Sequence, residues 1–527
     1  MTPLWRNPEF IRNCRAQLRP RRLLLVASII AALSLVVGYS VHDTYAFQSQ
    51  WADTLLTIAL YAQLFTLCLG GGYACMRSVS QEREQNTFDF QRVTQLTSLE
   101  LALGKLFGAP AISWFAALCM LPAALVGAFS GGSSPSRLAA AYLIFTLGAI
   151  AVHALMLVVS LGATRQAGGL SGLGAVFLLF LFVMFSNSPE PFRAFFDLGT
   201  IGPAAAIQFA RTGTWSVSAG PVGSPAQIIS HSPWTDVFFG VPLHHFPVLI
   251  VLYLTFTAWC LLALARNLKK DPGIFELFSP AQSVGLLCYL NLIMVGFFLV
   301  RRTYNGYPQA SQTASSTFDF FLSTNLVLLY CLGLALIRNR EQTRRRAYQK
   351  AHTAFDWLEF GWPTLYVLAG AAVAALLVLA RFAIVPGLQD DLNRRFAAFQ
   401  AALLLATVLR DLCFLQWMNL RRSRRPLILG VILLGVFYTC GGILLGVANF
   451  SDPVKNAISA ILIPWPLAPA GQGNLYVKWL LNPSPWLIGL AVQLALVVLF
   501  AVLHYKSTED LRPAPIAAPA SAQAVGD

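Results

Sequence analysis

The sequence predicts an all-α polytopic membrane protein of about twelve transmembrane helices, built as two tandem six-helix repeats of the same orientation. Three observations carry this. Of 527 residues, 56% are hydrophobic and only 11% charged, against about 25% charged in a soluble domain. Apolar runs of roughly 20 residues, the length that crosses a hydrocarbon core, recur along the chain. A shift of 257 residues lays the second half on the first.

The runs lie near 23–41, 54–76, 101–129, 138–163, 168–186, 247–265, 281–300, 318–337, 363–385, 394–418, 427–449 and 485–504. They divide the chain into a basic arm (1–22), a first unit (23–270), a second unit (271–505) and a Pro- and Ala-rich tail (506–527) expected to be disordered. The first run follows an Arg-rich flank and lacks a small-residue cleavage signature, so it reads as a retained span.

The net charge of +14 raises the question of nucleic acid, but its distribution points to the membrane. The dense clusters, Arg12 to Arg22, Arg338 to Arg346 and Arg421 to Arg425, each abut a span on one predicted side. That is the positive-inside pattern, with both termini cytoplasmic. Anionic membrane lipid accounts for such clusters, and no nucleic-acid partner is needed. Nine cysteines include no CxxC pair and none in an outer loop, so neither a disulfide framework nor a metal ribbon is expected.

In the arm, Ile11, Cys14 and Leu18 repeat at helical spacing beside Arg12, Arg15 and Arg19. This predicts an amphipathic helix on the inner membrane surface that ends at Pro20; an ordinary basic flank is the plainer alternative. Between the second and third spans lies a polar segment, 77–100, with Glu82, Arg83, Glu84, Asp89 and Arg92. Such a charged passage cannot sit in hydrocarbon and must be presented at a membrane surface. The outer segment 187–246 is rich in Pro, Gly and aromatics, and part of it is expected to dip into the outer leaflet or cap the bundle.

The 257-residue shift places Arg83-Glu84-Gln85 on Arg340-Glu341-Gln342, Leu101 on Leu358 and Gly104 on Gly361. It also projects the spans at 23, 101 and 168 close to those at 281, 363 and 427. A second polar segment, 338–362, and a second outer segment, 450–484, take the corresponding places. Six spans return the chain to its starting side, so the halves are related by an axis along the membrane normal.

The NPEF of the arm, the hairpin of spans and the stretch EREQNTFDFQRVTQLTSLELALGK together resemble the permease subunits of type-2 ABC exporters. Glu82, Arg83, Glu84 and Thr87 match the start of that family's pattern, Leu96-Thr97-Ser98 its middle and Gly104-Lys105 its end. Asn86 stands where Gly is usual and Ser98 where Pro is common. The resemblance implies a complete transmembrane dimer fused in one chain, in a bacterial inner membrane, working in export. It implies a separate cytoplasmic ABC ATPase in two copies, which would hold the ATP and magnesium. It also implies ATPase-coupling roles for Glu82, Arg83, Glu84, Gln85, Thr87, Phe88 and Asp89, and for Arg340, Glu341 and Gln342. No GxxxxGK[ST] loop occurs in this chain, so no cofactor and no enzyme activity are expected of it. The second segment drops the central acids, gains Arg344 to Arg346 and has Trp362 in place of Lys105. That fits either drift after duplication or unequal coupling.

Charges deep in spans are candidates for a transport path because hydrocarbon penalises them. Here these are His153, Arg410 and Asp411, and the shift puts His153 and Arg410 at equivalent sites. Arg410 and Asp411, being adjacent, are expected to face apart and not to pair; local pairing or snorkelling with other groups is the plainer reading of each. His231, Asp236, His244 and His245 match no common metal spacing. An ion-coupled secondary transporter with Asp411 as its deep carboxylate is the alternative function, and a membrane enzyme using the outer histidines is a third. The transported substrate is not written in the sequence.

Overall fold

A computed structural model of the protein describes residues 3–45, 50–85, 95–162, 206–207, 209–211, 235–238, 241–269, 278–294, 391–421, 426–447, 451–462 and 484–511, with single positions between 326 and 344. By internal contacts the chain divides into two units, Met1–Leu277 and Phe278–Asp527. Among the described residues the chain is helical apart from one short hairpin. Seven helices are long and apolar enough to cross a membrane: Pro20–Thr44, Trp51–Glu82, Ser98–Ser130, Pro135–Leu161, Phe246–Asn267, Pro426–Leu445 and Ser484–Thr508. This is an all-α polytopic membrane architecture. The span expected at 394–418 is helical, and that at 281–300 begins as a shorter apolar helix, Gln282–Ile293. Those expected at 168–186 and 363–385, and most of 318–337, lie outside the described residues.

The first unit opens with a 3-10 turn, Leu4–Arg6, and helix α1, Pro8–Gln17. Helix α2, Pro20–Tyr45, follows and is barely covered: Leu24, Leu25, Ile29, Leu33, Leu35 and Val36 all face outward, as lipid contact requires. The next long helix comes in two pieces, α3 (Trp51–Phe65) and α4 (Gly72–Glu84), joined by a π turn over Thr66–Gly71. The third is likewise divided into α5 (Ser98–Gly108) and α6 (Ala111–Ser130). Pro110 sits at this break, where its missing N–H costs the ladder least. Helix α7 is Pro135–Gly162 and α8 is His245–Asn267.

Packing in lipid gains little from the hydrophobic effect and depends on close fit and hydrogen bonds. Helix α6 therefore meets α3 at Gly127, where a Cβ would stand 2.7 Å from the Leu56 nitrogen. Around that contact Leu56, Leu60, Ala124, Ala128, Ile144 and Phe145 form an apolar core. Ala206, Ile207, Phe209 and Ala210 join it, and the Ser133 hydroxyl donates to the Ala210 carbonyl at 2.9 Å. Part of the outer segment is thus buried in the bundle. A hairpin, β1 (Thr235–Phe238) with β2 (Val241–His244), pairs antiparallel with Thr235 opposite His244. A second core, around Cys75, Met76, Val79, Leu101, Leu106, Leu157 and Leu264, joins α4, α5, α7 and α8.

The described part of the second unit comprises α9 (Pro280–Met294), α10 (Asp391–Asn419), α11 (Pro426–Val447), α12 (Asp452–Leu462) and α13 (Ser484–Glu509). Helices α10, α12 and α13 meet at Leu403, Ala460 and Trp486. Gly489 of α13 lets α12 approach until a Cβ there would lie 2.5 Å from that of Ala460. Outward Ile428, Val431, Ile432 and Val436 on α11, and Leu487, Ile488, Val498 and Leu499 on α13, are left for lipid.

Candidate functional site

The polar segment of the first unit leaves α4 at Glu84 and returns at α5, and both of its ends are tied to the arm. Helix α1 is started by Asn7, whose Oδ1 accepts from the Glu9 and Phe10 amides at 2.9 and 3.4 Å, with Pro8 in the first turn. The same Asn7 donates its Nδ2 to the Glu100 carbonyl at 2.6 Å. Helix α5 starts with a capping box: the Glu100 amide donates to Thr97 Oγ1 at 3.2 Å and the Thr97 amide to Glu100 Oε2 at 3.0 Å. One face of α5 then presents Gly104 and Gly108, four residues apart. A Cβ on Gly104 would lie 2.8 Å from that of Glu9, and one on Gly108 2.8 Å from that of Asn13. Helix α1 therefore lies on α5 at a separation only glycine permits.

This approach seals a group of four charges. Lys105 is fully buried, with Nζ 3.1 Å from Glu9 Oε1 and a second ion pair to Glu82. Arg12 donates to Glu9 Oε1 at 2.8 Å and also pairs with Glu82. Asn13 Nδ2 adds a bond to Glu9 Oε1 at 3.0 Å. Among the described residues two acids and two bases balance, which makes burial tolerable: ions taken from water need opposite charge and filled hydrogen bonds. Burial opposes the Arg12 charge, but Glu9 and Glu82 outweigh it and hold the guanidinium pKa above its usual value. Arg12 remains 48% exposed, whereas Glu9 and Lys105 do not reach solvent.

The expected coupling residues separate accordingly. Glu82 is buried in the joint just described and faces the arm. Glu84 and Gln85 are exposed at the end of α4, and Arg83 lies in the same helix. Thr87, Phe88 and Asp89 lie outside the described residues, as do Glu341 and Gln342; Arg340 is a half-buried helical position. Gly108 was not singled out in the sequence; Asn7 and Glu9 entered only within the NPEF of the arm and Arg12 only as part of its basic side, none of them as a partner of Lys105. The signal was a small-xxx-small pair around a lysine at the mouth of a span, with an Asn-Pro-Glu helix start upstream.

His153 is fully buried and hydrogen-bonds through Nε2 to the Leu67 carbonyl, 2.8 Å away, inside the π turn. Its ring fills the space beside Gly71, where a Cβ would come within 2.2 Å of Nε2, and meets Trp114 edge-on at 5.7 Å. In the second unit, Arg410 pairs with Asp411 after all: Nε and Nη2 both lie 2.8 Å from Oδ1. Neighbours on a helix point about 100° apart, but the long arginine curls back while Asp411 also accepts from Tyr330 and Tyr438. Arg410 further donates to the Ile461 carbonyl at 2.6 Å and to the Tyr438 hydroxyl at 2.8 Å. Beside it Gln493 accepts from Thr407 at 2.9 Å and donates to the Ala460 carbonyl.

His153 and Arg410 thus do one job. Each satisfies a carbonyl that a broken or ending helix leaves inside the bundle, where no water is at hand. Arg410 and Asp411 are held by these partners, whereas His153 keeps a buried Nδ1 with no hydrogen-bond partner among the described residues. Among the outer residues, His231 lies outside the described residues, while Asp236 and His244 fall on facing strands in pairs Asp236–Leu243 and Thr235–His244; His245 begins α8. The described residues contain no metal-holding group of His, Cys, Asp or Glu. No known protein family, curated protein or solved structure matches this chain.

Proposed function

We propose that the chain is the membrane-spanning permease component of an ATP-driven ABC export system, forming the substrate path and coupling to a separate cytoplasmic ATPase. The observation that carries this reading is the four-charge joint. It ties the end of α4, the start of α5 and the arm helix into one body around the polar segment. A push on that segment is delivered to three elements at once, as a lever driven from outside the membrane needs. The exposed Glu84 and Gln85 are the surface offered to the ATPase, and Glu82 works behind them as a positioning residue.

Twelve spans in two tandem repeats belong to the same proposal. Its support is the pair α7 and α10: a shift of 257 residues carries Pro135–Gly162 onto 392–419, and α10 runs Asp391–Asn419. The ion-coupled alternative needs a carboxylate that exchanges protons, and Asp411 is instead tied to Arg410 and two tyrosines. The test is affinity purification of the full chain from its native membrane. Two copies of an ATPase with a phosphate-binding loop, lost when 85–97 is replaced by a Gly/Ser linker, are expected. Transport that survives removal of every ATPase and collapses with the proton gradient would overturn the reading.

A further inference from the structure

Helix α1 has three faces, and among the described residues one of them packs closely on α5. Glu9, Phe10 and Asn13 meet α5. Ile11, Cys14 and Leu18 form a half-buried apolar strip, and Arg12, Arg15 and Arg19 run exposed beside it. Arg6 precedes the helix, Arg21 and Arg22 follow it, and all three are exposed. Glu9 is the arm's only acid and is buried against Lys105 and Arg12, so every exposed charge from residue 3 to 22 is positive. Trp5 stands 73% exposed at the start of the arm. Immediately after Arg22, Leu24 and Leu25 are 72% and 60% exposed on a helix long and apolar enough to span. A span that begins there sets Arg21 and Arg22 at headgroup level. The two-residue link Leu18–Arg19 holds α1 at the same depth.

We infer that the outer face of the arm binds acidic phospholipid headgroups, and that this binding keeps α1 closed on α5. The apolar strip enters the interface, Trp5 anchors in it, and the guanidinium groups take phosphate oxygens in pairs. Each cation near an acidic surface contributes about fivefold in binding, diminished by salt. Because Arg12 bridges Glu9 and Glu82, the lipid-facing side and the buried joint belong to one helix, and lipid charge sets how firmly the polar segment is held. The inference goes beyond the proposed permease role and does not rest on it.

The test uses the full chain in nanodiscs of phosphatidylcholine alone or with about 30% phosphatidylglycerol. Hydrogen exchange is followed over 8–17, with α10 to α13 as the folding control. Exchange in α1 is expected to slow by roughly tenfold or more with the acidic lipid and to recover with added salt. The variant Arg15→Ser/Arg19→Ser/Arg21→Ser/Arg22→Ser leaves all four joint residues in place and should exchange equally fast in both lipids. Equal exchange of the unaltered chain in the two lipids would overturn the inference, as would a variant that keeps the full lipid response. Protection that ignores lipid charge but appears on adding cytosolic protein would assign the face to an acidic protein and overturn it equally.

Discussion

Lys105→Met is the sharpest probe of the joint. Methionine matches the lysine stem in length and removes only the ammonium. Glu9 and Glu82 both lose the ammonium, and the cation they still share, Arg12, is already half in solvent. Breaking one side of a buried ion pair costs about 3–5 kcal/mol. At about 1.4 kcal/mol per tenfold, α1 should undock at least ~100-fold more often. The assay is hydrogen exchange of 8–17 in the purified full chain, with exchange in α13 as a check that the fold survives. The companion Glu82→Gln/Lys105→Met leaves Glu9 facing Arg12 and restores neutrality, so it should recover most of the lost protection. If the single change left α1 exchange as it was, or the double change were as damaging as both single changes summed, charge balance would not be what closes the joint.

The remaining expectations follow from the same geometry. Gly108→Ala forces a Cβ to within 2.8 Å of that of Asn13 and should weaken arm docking by about 1–3 kcal/mol, read as faster cleavage in the arm by limited proteolysis. Cys14, whose thiol pKa burial raises above its usual value, should react slowly with maleimide at pH 8. Lys105→Met should speed that reaction at Cys14, because exposure returns the pKa and the thiolate fraction rises. His153→Phe orphans the Leu67 carbonyl, at a cost of about 1–3 kcal/mol, and should lower the melting temperature of the detergent-solubilised chain; Gly71→Ala, which evicts the same ring, should match it. The Arg12 contribution carries a simple pH sign. Its folded pKa lies above the unfolded one, so its stabilisation is complete below the unfolded value and is lost only as pH rises through the folded one. Docking should therefore show no Arg12-dependent loss between pH 6 and 9, which exchange corrected for intrinsic rate can check.

What was legible in the sequence follows from which forces act locally. Apolar runs announce spans because lipid leaves a segment few alternatives, and the runs near 23, 138, 247 and 485 all lie in helices of the expected extent. The arm was legible as a helix from Ile11, Cys14 and Leu18. Its docking was not, because the docking face is polar: Glu9 and Asn13 give no apolar signal, and what they pack on, Gly104, Gly108 and Lys105, lies about 95 residues downstream. The same blindness placed Glu82 on the surface. Helix breaks were also hidden. Gly70-Gly71-Gly72 sits in an otherwise apolar run, and only the neighbours it meets explain the glycines: Ser113 beside Gly70, the ring of His153 against Gly71, and Val152 and Met156 beside Gly72. For Arg410 and Asp411, spacing on an ideal helix argued against pairing. The reach of an arginine, together with Tyr438 on the next helix, decided otherwise.

The joint between arm and α5 also bears on how the protein is made. Glu9 and Arg12 leave the ribosome before Glu82 and Lys105 exist. At about 5–20 residues per second, they wait on the order of 5–20 s for their counter-charges. During that time two spans, Pro20–Thr44 and Trp51–Glu82, are committed to the bilayer. The four charges meet only if the start of α2, the end of α4 and the start of α5 have come out on one side. A chain in which one span of the first hairpin failed to cross would leave Glu9 and Arg12 on the opposite side of the bilayer from Glu82 and Lys105. The joint can therefore close only on chains in which both spans of the first hairpin have crossed.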